Sequence, residues 1–415
     1  HRDLHSFPTR RSSDLPFERD ADLVGVTTTF TCTFPRVVDI CNQFRNRGIR
    51  VILGGAHATC MQREVQQHCD AVVQGEAEGK VAQLVADLRQ TGSLKPLYGD
   101  GTFIDLEHEP YRRPPYELLD MRTYIRLGLV RKSNLFAIES SRGCPMPCTF
   151  CCIGFTHGKT PRARSIAAVI QEIRDLKSTY GASFFAFADD NFSMDRERCL
   201  ELCKALAGER IRFYCELPTT ILHQPDLVEA LARAGCVSAL LGMESTNEAN
   251  LRDVSKGFNH PDQYRDLFEL LAAHRISAMA AMIFGFDHDT PDVFRNTVDF
   301  LKTCRVPRAL FTILTPVPGT RLYDRLQQEG RIINPNFTLY DGTHAVFQPQ
   351  NMTPQELERG FWEAYRSFYD LPSICRRTLR SGLNSAFYTL FSNLRFRRLV
   401  RQELYPYNSG IERLE

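Results

Sequence analysis

The sequence predicts an α/β protein in three parts: an incomplete Rossmann-like domain, a partial (β/α)6 TIM-like barrel, and a mostly helical C-terminal extension. Three observations carry this. Short apolar runs alternate with amphipathic segments over 22–89 and again over 135–330. Glycines and prolines punctuate the alternation. The length, 415 residues, suits two or three domains. The hydrophobic share of 43% and charged share of 24% are those of a globular chain, which excludes a disordered or fibrous one. With 51 basic and 49 acidic residues the net charge is +2, so no global field draws the chain to nucleic acid. No apolar run approaches the roughly 20 residues needed to span a bilayer. The first residues lack the apolar core of a signal peptide, and a cytoplasmic location is expected.

Residues 1–15 are polar, rich in Arg and Ser, and carry no period; they are read as a non-native leader resembling translated adapter sequence. Over 16–92, strands are expected at 22–28, 49–53 and 70–73, each a short apolar run. Helices are expected at 35–46, where Val38, Cys41 and Phe44 share a side, at 62–68 and at 81–89. Gly48 closes the first helix. Three strands are too few for a complete doubly wound domain, so this region is expected to be its C-terminal half, with the native start missing. Residues 93–134 hold Pro96, Pro110, Pro114 and Pro115 and no sustained period; they are read as a linker.

Over 135–330, strands are expected at 135–140, 184–188, 211–216, 237–243, 277–284 and 309–314. Ser165 opens a helix that Gly181 closes, and Asp195 opens one running to Ala207. Pro225 starts a third, closed by Gly235, and Thr290-Pro291 starts a fourth. Six such units fall short of the eight of a full barrel near ~250 residues, hence an open one. Barrel chemistry belongs at the C-terminal ends of its strands. Over 331–415, helices are expected at 353–369 and 376–401.

Of fourteen cysteines, Cys41, Cys69, Cys199, Cys203, Cys236 and Cys304 sit singly in periodic apolar segments and read as small buried hydrophobes. Cys144, Cys148, Cys151 and Cys152 cluster directly after the first barrel strand, and the first three are spaced C-x3-C-x2-C. Three thiolates on one loop can each bind one iron of a [4Fe–4S] cube, leaving the fourth iron for an outside ligand. Structural zinc favours four ligands in paired spacings, which this chain lacks. Pro145 and Pro147 stiffen the loop, and Gly143 permits a sharp exit from the strand.

This motif, with Phe150 before its third cysteine and a partial barrel around it, resembles the radical SAM superfamily over 136–330. The resemblance implies that Cys144, Cys148 and Cys151 hold the cluster while S-adenosylmethionine (SAM) binds its open iron. One electron then cleaves the sulfonium, and a 5′-deoxyadenosyl radical abstracts hydrogen from substrate. Asp190 and Asn191, after the second strand, match positions near the SAM amine, or else form a turn capping the next helix. Glu244 and Ser245 end the fourth strand in a Gly-x-Glu-Ser element that reaches SAM, and Glu244 is expected to serve SAM rather than folding. Lys256 is read as solvated, or as a basic group near the SAM carboxylate. Gly285 is expected to let the backbone approach the adenine.

The N-terminal region resembles the cobalamin-binding domain of the same family. Its Gly-Gly element matches Gly54-Gly55, its Ser/Thr element matches Thr28, and its Gly-Glu-x-Glu element matches Gly75-Glu76 and Glu78. His57 follows the glycine turn as a possible cofactor contact, or as a surface or cap residue. The Asp-x-His-x-x-Gly element that supplies a lower cobalt ligand is absent. Residues 339–357 resemble the extension of a cobalamin-type subgroup that includes enzymes acting on hopanoid lipids. Arg376, Arg377, Arg380, Arg395, Arg397, Arg398 and Arg401 flank an apolar stripe, which suits a membrane surface or a helix packed on the barrel.

The expectation is a radical SAM enzyme with a [4Fe–4S] cluster, SAM and cobalamin, methylating an unactivated carbon of a small-molecule or lipid substrate. A flavodoxin- or ferredoxin-type electron donor is implied. Two alternatives stand: a radical SAM oxidoreductase, cyclase or lyase without methylcobalamin, and a non-catalytic iron–sulfur protein.

Overall fold

Two parallel sheets, each flanked by helices, organise the chain in the computed structural model, which describes residues 17–18, 20–108, 116–118, 135–378 and 383–406, with backbone alone at 118 and 383–388. The leader at 1–15 and most of 109–134 lie outside the described residues.

The first sheet contains β1 (Leu23–Thr27), β2 (Arg50–Gly54), β3 (Ala71–Val73) and β4 (Leu97–Tyr98), in that spatial order. Strand alternation divides its core. Val51 and Leu53 of β2 face the helix Phe34–Arg45 through Val37, Cys41 and Phe44, while Ile52 faces Leu84 of the helix Lys80–Thr91. β4 falls inside the stretch read as linker; two residues are too few to show a period. It is fixed by pairing with β3, and the Tyr98 hydroxyl donates to Asp87 at 3.0 Å. A short helix, Ala56–Cys60, also escaped the sequence reading.

The second sheet carries β5 (Leu135–Ile138), then β8 (Phe184–Phe187), β9 (Arg212–Leu217), β10 (Cys236–Glu244), β11 (Ser277–Phe284) and β12 (Arg308–Ile313). They pair in chain order, all parallel, and β5 and β12 are the sheet's two edges. Between β5 and β8 the two-residue strands β6 (Ser141–Arg142) and β7 (Arg162–Ala163) form an antiparallel pair. This is the expected open (β/α)6 sheet. Ser165 caps its helix by accepting from Ala168 N, and Asp195 does so from Arg198 N. One start is corrected: the helix Val293–Thr303 begins after Asp292, because Thr290 O accepts Val293 N in a turn that precedes it. Helices Glu248–Asp253 and Tyr264–Ala273 join β10 to β11.

The helix Pro354–Phe368 begins at a capping box between Thr353 and Glu356 and lies along β12. Its Tyr365 hydroxyl donates to Phe311 O and accepts Phe311 N, both at 2.9 Å. The Tyr369 hydroxyl does the same for Ala309 O at 2.6 Å and Ala309 N at 3.1 Å. The expected helix 376–401 is two, Leu371–Thr378 and Leu383–Arg401, separated by residues outside the description. Arg377 is no part of a solvated face. It is buried, 3.8 Å from the Phe368 ring centre, and donates to Pro307 O and Phe368 O. Among the described residues no helix is long and apolar enough to cross a membrane.

Candidate functional site

The cysteine loop leaves β6 at Gly143, whose φ of +93° and crowding against Thr160 O admit no side chain. Thr149 ties the loop to the barrel: its N donates to Val254 O, and its O accepts Leu322 N, both at 3.0 Å. Arg321 donates to Pro147 O. Two carboxylates after β8 hold the loop's start. Asp189, buried, accepts from Ser140 N at 2.7 Å and from the Ser140 and Ser141 hydroxyls at 2.6 Å. Asp190 accepts from Gly143 N at 2.7 Å and meets His157 Nδ1 at 2.9 Å.

Cys144, Cys148 and Cys151 lie on this loop close enough for their charges to act on one another. Desolvation raises all three thiols; Cys148 also feels Cys144, and Cys151 feels Cys152, Cys148 and Cys144. Deprotonating all three therefore calls for added positive charge, which iron would supply. Among the described residues no three His, Cys, Asp or Glu side chains meet as ligands of one ion. A four-iron cube takes one thiolate per iron, so the donor set suits it.

Glu244 ends β10 with φ of +67°, rare for a residue with a side chain, beside a register shift against β11. Its carboxylate pairs with Lys256 Nζ at 2.5 Å. Lys256 is half-buried, its side chain 12% exposed, which corrects the solvated reading; desolvation lowers its pKa, but Glu244 and Cys148 outweigh this and raise it. Its ammonium lies 5.9 Å from the Phe150 ring centre, and Phe150 packs edge-on to Phe286. Ser245 accepts from Asn247 N and Asn250 Nδ2, so it braces the turn. Asn191 accepts from Ser193 in a local turn, and the next helix is capped by Asp195 and not by Asn191. Gly285, at φ of +104°, makes room for Leu357 and Phe347 of the C-terminal extension, so its bareness admits protein side chains where the sequence reading placed a ligand.

Two acids here were missed. Glu216, on the interior side of β9 between outward-facing Cys215 and Leu217, faces Asp190, Glu244 and Lys256; burial first, then the two carboxylates, push it up to about 7. No hydrogen bond to its carboxylate is formed among the described residues. The signal was a lone charge in an apolar run. Asp289, buried, accepts from Gly285 N, Phe286 N and Asn250 Nδ2, and burial pushes it up to about 6.

In the N-terminal domain, Thr28 N donates to Gly54 O at 2.8 Å and Thr28 O accepts His57 N at 3.1 Å. Gly55, at φ of +99°, brings this turn against Thr27 and Thr28. His57 is 1% exposed, not a surface residue. Its ring lies between Phe34 and Phe337, and burial lowers its pKa to about 4. Among the described residues, the buried Thr28 Oγ1 and His57 Nε2 have no hydrogen-bond partner. Gly75 N donates to Thr59 Oγ1 at 2.9 Å. Glu76 is paired with Arg162 and Arg142 of the barrel.

Residues 138–301 match the Radical SAM superfamily, residues 17–85 a B12 binding domain, and residues 320–392 a domain of unknown function, DUF4070. The chain is 29% identical, over 92% of its length and 82% of the relative's, to bacteriochlorophyllide d C-12(1)-methyltransferase of Chlorobaculum tepidum. It is 26% identical, over 71% of its length and 56% of the relative's, to hopanoid C-2 methylase of Rhodopseudomonas palustris. Its fold is like that of the radical SAM methyltransferase TsrM from Kitasatospora setae, solved with cobalamin and a [4Fe–4S] cluster: TM-score 0.67, 17% identity, covering 94% of this chain and 90% of that one.

Proposed function

From the premise that the chain is a radical SAM protein with a B12-binding domain, we propose that it is a cobalamin-dependent methyltransferase acting on an unactivated carbon. The observation that carries this is the meeting, at one end of the barrel sheet, of the cysteine loop with Glu244, Lys256 and Glu216. Cys144, Cys148 and Cys151 hold the cluster, while Thr28, Gly54, Gly55, His57 and Gly75 line the corrinoid site. When bound, the cluster would supply the electron that opens SAM for hydrogen abstraction from substrate, and cobalamin would supply the methyl group.

The chain's residues prepare that chemistry. Lys256 offers its charge to the SAM carboxylate while Glu244 and Glu216 oppose the cationic groups. Phe150 and Phe286 keep an apolar wall beside the thiols. Thr28 Oγ1 and His57 Nε2, buried without partners among the described residues, suit the phosphate, hydroxyl and amide groups of a nucleotide tail. The N-terminal domain, read from sequence as 16–92, is assigned as extending through β4 at Tyr98, with a linker before the domains at 135–330 and 331–415. Radical SAM enzymes take small-molecule substrates and an electron donor; here a flavodoxin or ferredoxin type is assigned, with a small-molecule or lipid substrate. Exposed Phe391 and Leu394, on the helix that carries Arg397, Arg398 and Arg401, support contact of a cytoplasmic enzyme with an anionic membrane surface.

The test is a spectral titration with hydroxocobalamin followed by turnover with methyl-deuterated SAM. Retained corrinoid that acquires the deuterated methyl group supports the assignment. SAM cleavage that proceeds fully in corrinoid-free protein, with no label on added corrinoid, would favour the cobalamin-independent alternative.

A further inference from the structure

Arg142 and Arg162 stand directly opposite each other on β6 and β7, the strands that bracket the cysteine loop. Like charges facing across an antiparallel pair push the strands apart, and both side chains are only 16% exposed. A two-residue ladder cannot supply much opposing energy. The compensating charge comes from the N-terminal domain. Glu76, 3% exposed at its side chain, accepts from Arg162 Nη2 at 2.7 Å and Arg162 Nη1 at 2.9 Å, and pairs with Arg142 Nη1 at 3.1 Å. Ile104 N completes its shell at 2.8 Å. Glu78 and Glu139 hold the other nitrogens of Arg142 at 2.7 and 2.8 Å. Arg162 in turn donates to His157 O at 2.7 Å, and His157 reaches Asp190, which holds Gly143 N.

We infer that Glu76 is a positioning residue for the cysteine loop: docking of the N-terminal domain clamps the two facing arginines and so fixes the loop between them. This rests on the reading of the three cysteines as cluster ligands. It gives the Gly-Glu-x-Glu turn a task at the domain junction instead of at the corrinoid.

The test uses the full chain. In cluster-free protein, Glu76→Gln should speed amide hydrogen exchange over 143–162 by at least about tenfold, with the amides of β10 unchanged. After reconstitution, the reduced cluster of this variant should give a broadened, heterogeneous paramagnetic resonance signal. Glu76→Gln combined with Arg162→Gln removes the repulsion as well as the clamp, and should recover most of the protection. Glu209→Gln, which strips a carboxylate from Arg174 and Lys177 elsewhere on the barrel, serves as control. If Glu76→Gln does not fold, Arg162→Lys keeps the charge, loses the fork, and should show the same loop-selective exchange. Unchanged exchange over 143–162, equal acceleration by Glu209→Gln, or no recovery in the double variant would overturn the clamp. Full iron content in all three single Cys→Ala variants would instead overturn the cluster reading and leave the exchange result standing.

Discussion

The barrel and the N-terminal sheet finish their outer strands differently. β12 is buried along most of its length, and its backbone groups at Ala309 and Phe311 are taken up by the hydroxyls of Tyr369 and Tyr365. β1 pairs only with β2 among the described residues, and every one of its side chains is half-buried or exposed. The barrel's core is one large cluster, whereas the N-terminal domain has two small ones. The barrel shares that one core with the C-terminal extension, whose Phe361, Tyr365 and Tyr369 close the β12 edge. The smaller domain leans on its neighbours instead, through Glu76 on Arg162 and through Phe337 on His57. The cysteine loop lies where that support is delivered.

Breaking the barrel's own site should have the largest effect. Lys256→Gln leaves Glu244 buried without its partner and should cost about 3–5 kcal/mol in denaturant unfolding of the cluster-free protein. Glu244→Gln should likewise destabilise, because the ion pair with Lys256 gives this residue a folding role beside the SAM role proposed for it.

Acid should next separate the two domains. The folded pKa of His57 lies near 4, below its usual 6.5, so between those values the unfolded chain binds more protons. His57's contribution is complete above about pH 6.5 and is lost as pH falls toward 4, by up to about 3 kcal/mol. Calorimetry between pH 7 and 5 should show the N-terminal transition moving down while the barrel moves less, and His57→Gln should remove that difference.

Tyr365→Phe deletes both hydrogen bonds to Phe311 and should cost about 1–3 kcal/mol. The loss should fall on the barrel transition alone. If both transitions move together, the two domains unfold as one unit and the contrast dissolves.

Glu216→Gln should have the smallest effect, with the opposite sign. Burial raises the acid to about 7, so the native state binds more protons between about 4.5 and 7 and stability falls as pH rises through that window. The amide should stabilise the barrel above pH 7 by on the order of 1 kcal/mol, allowing for partial exposure, while weakening SAM binding in equilibrium dialysis. Unchanged SAM affinity would make Glu216 merely a buried acid.

The barrel was legible because parallel strands buried on both faces are continuous apolar runs, and their helices carry cap residues at the ends. Ser277–Phe284 was read to the residue. The thiol spacing was local and therefore visible. The partners were not. Asp189 reaches Ser140, Glu76 reaches Arg162, and Tyr365 reaches Phe311, each across more than forty residues. Gly285 shows a different limit: its bareness was legible, but what fills the space was not, and the extension supplies Leu357. β4 was invisible because two residues between Pro96 and Gly99 carry no period.

The central claim is that Cys144, Cys148 and Cys151 hold a cluster that cleaves SAM at the end of the barrel sheet. The most direct measurement is 5′-deoxyadenosine released by anaerobically reconstituted, reduced protein, set beside Cys148→Ala and Cys152→Ala. The account predicts about four irons per chain and steady release for the parent and for Cys152→Ala. It predicts loss of both for Cys148→Ala. Release undiminished in Cys148→Ala, or none from a parent chain carrying its full iron, would contradict it.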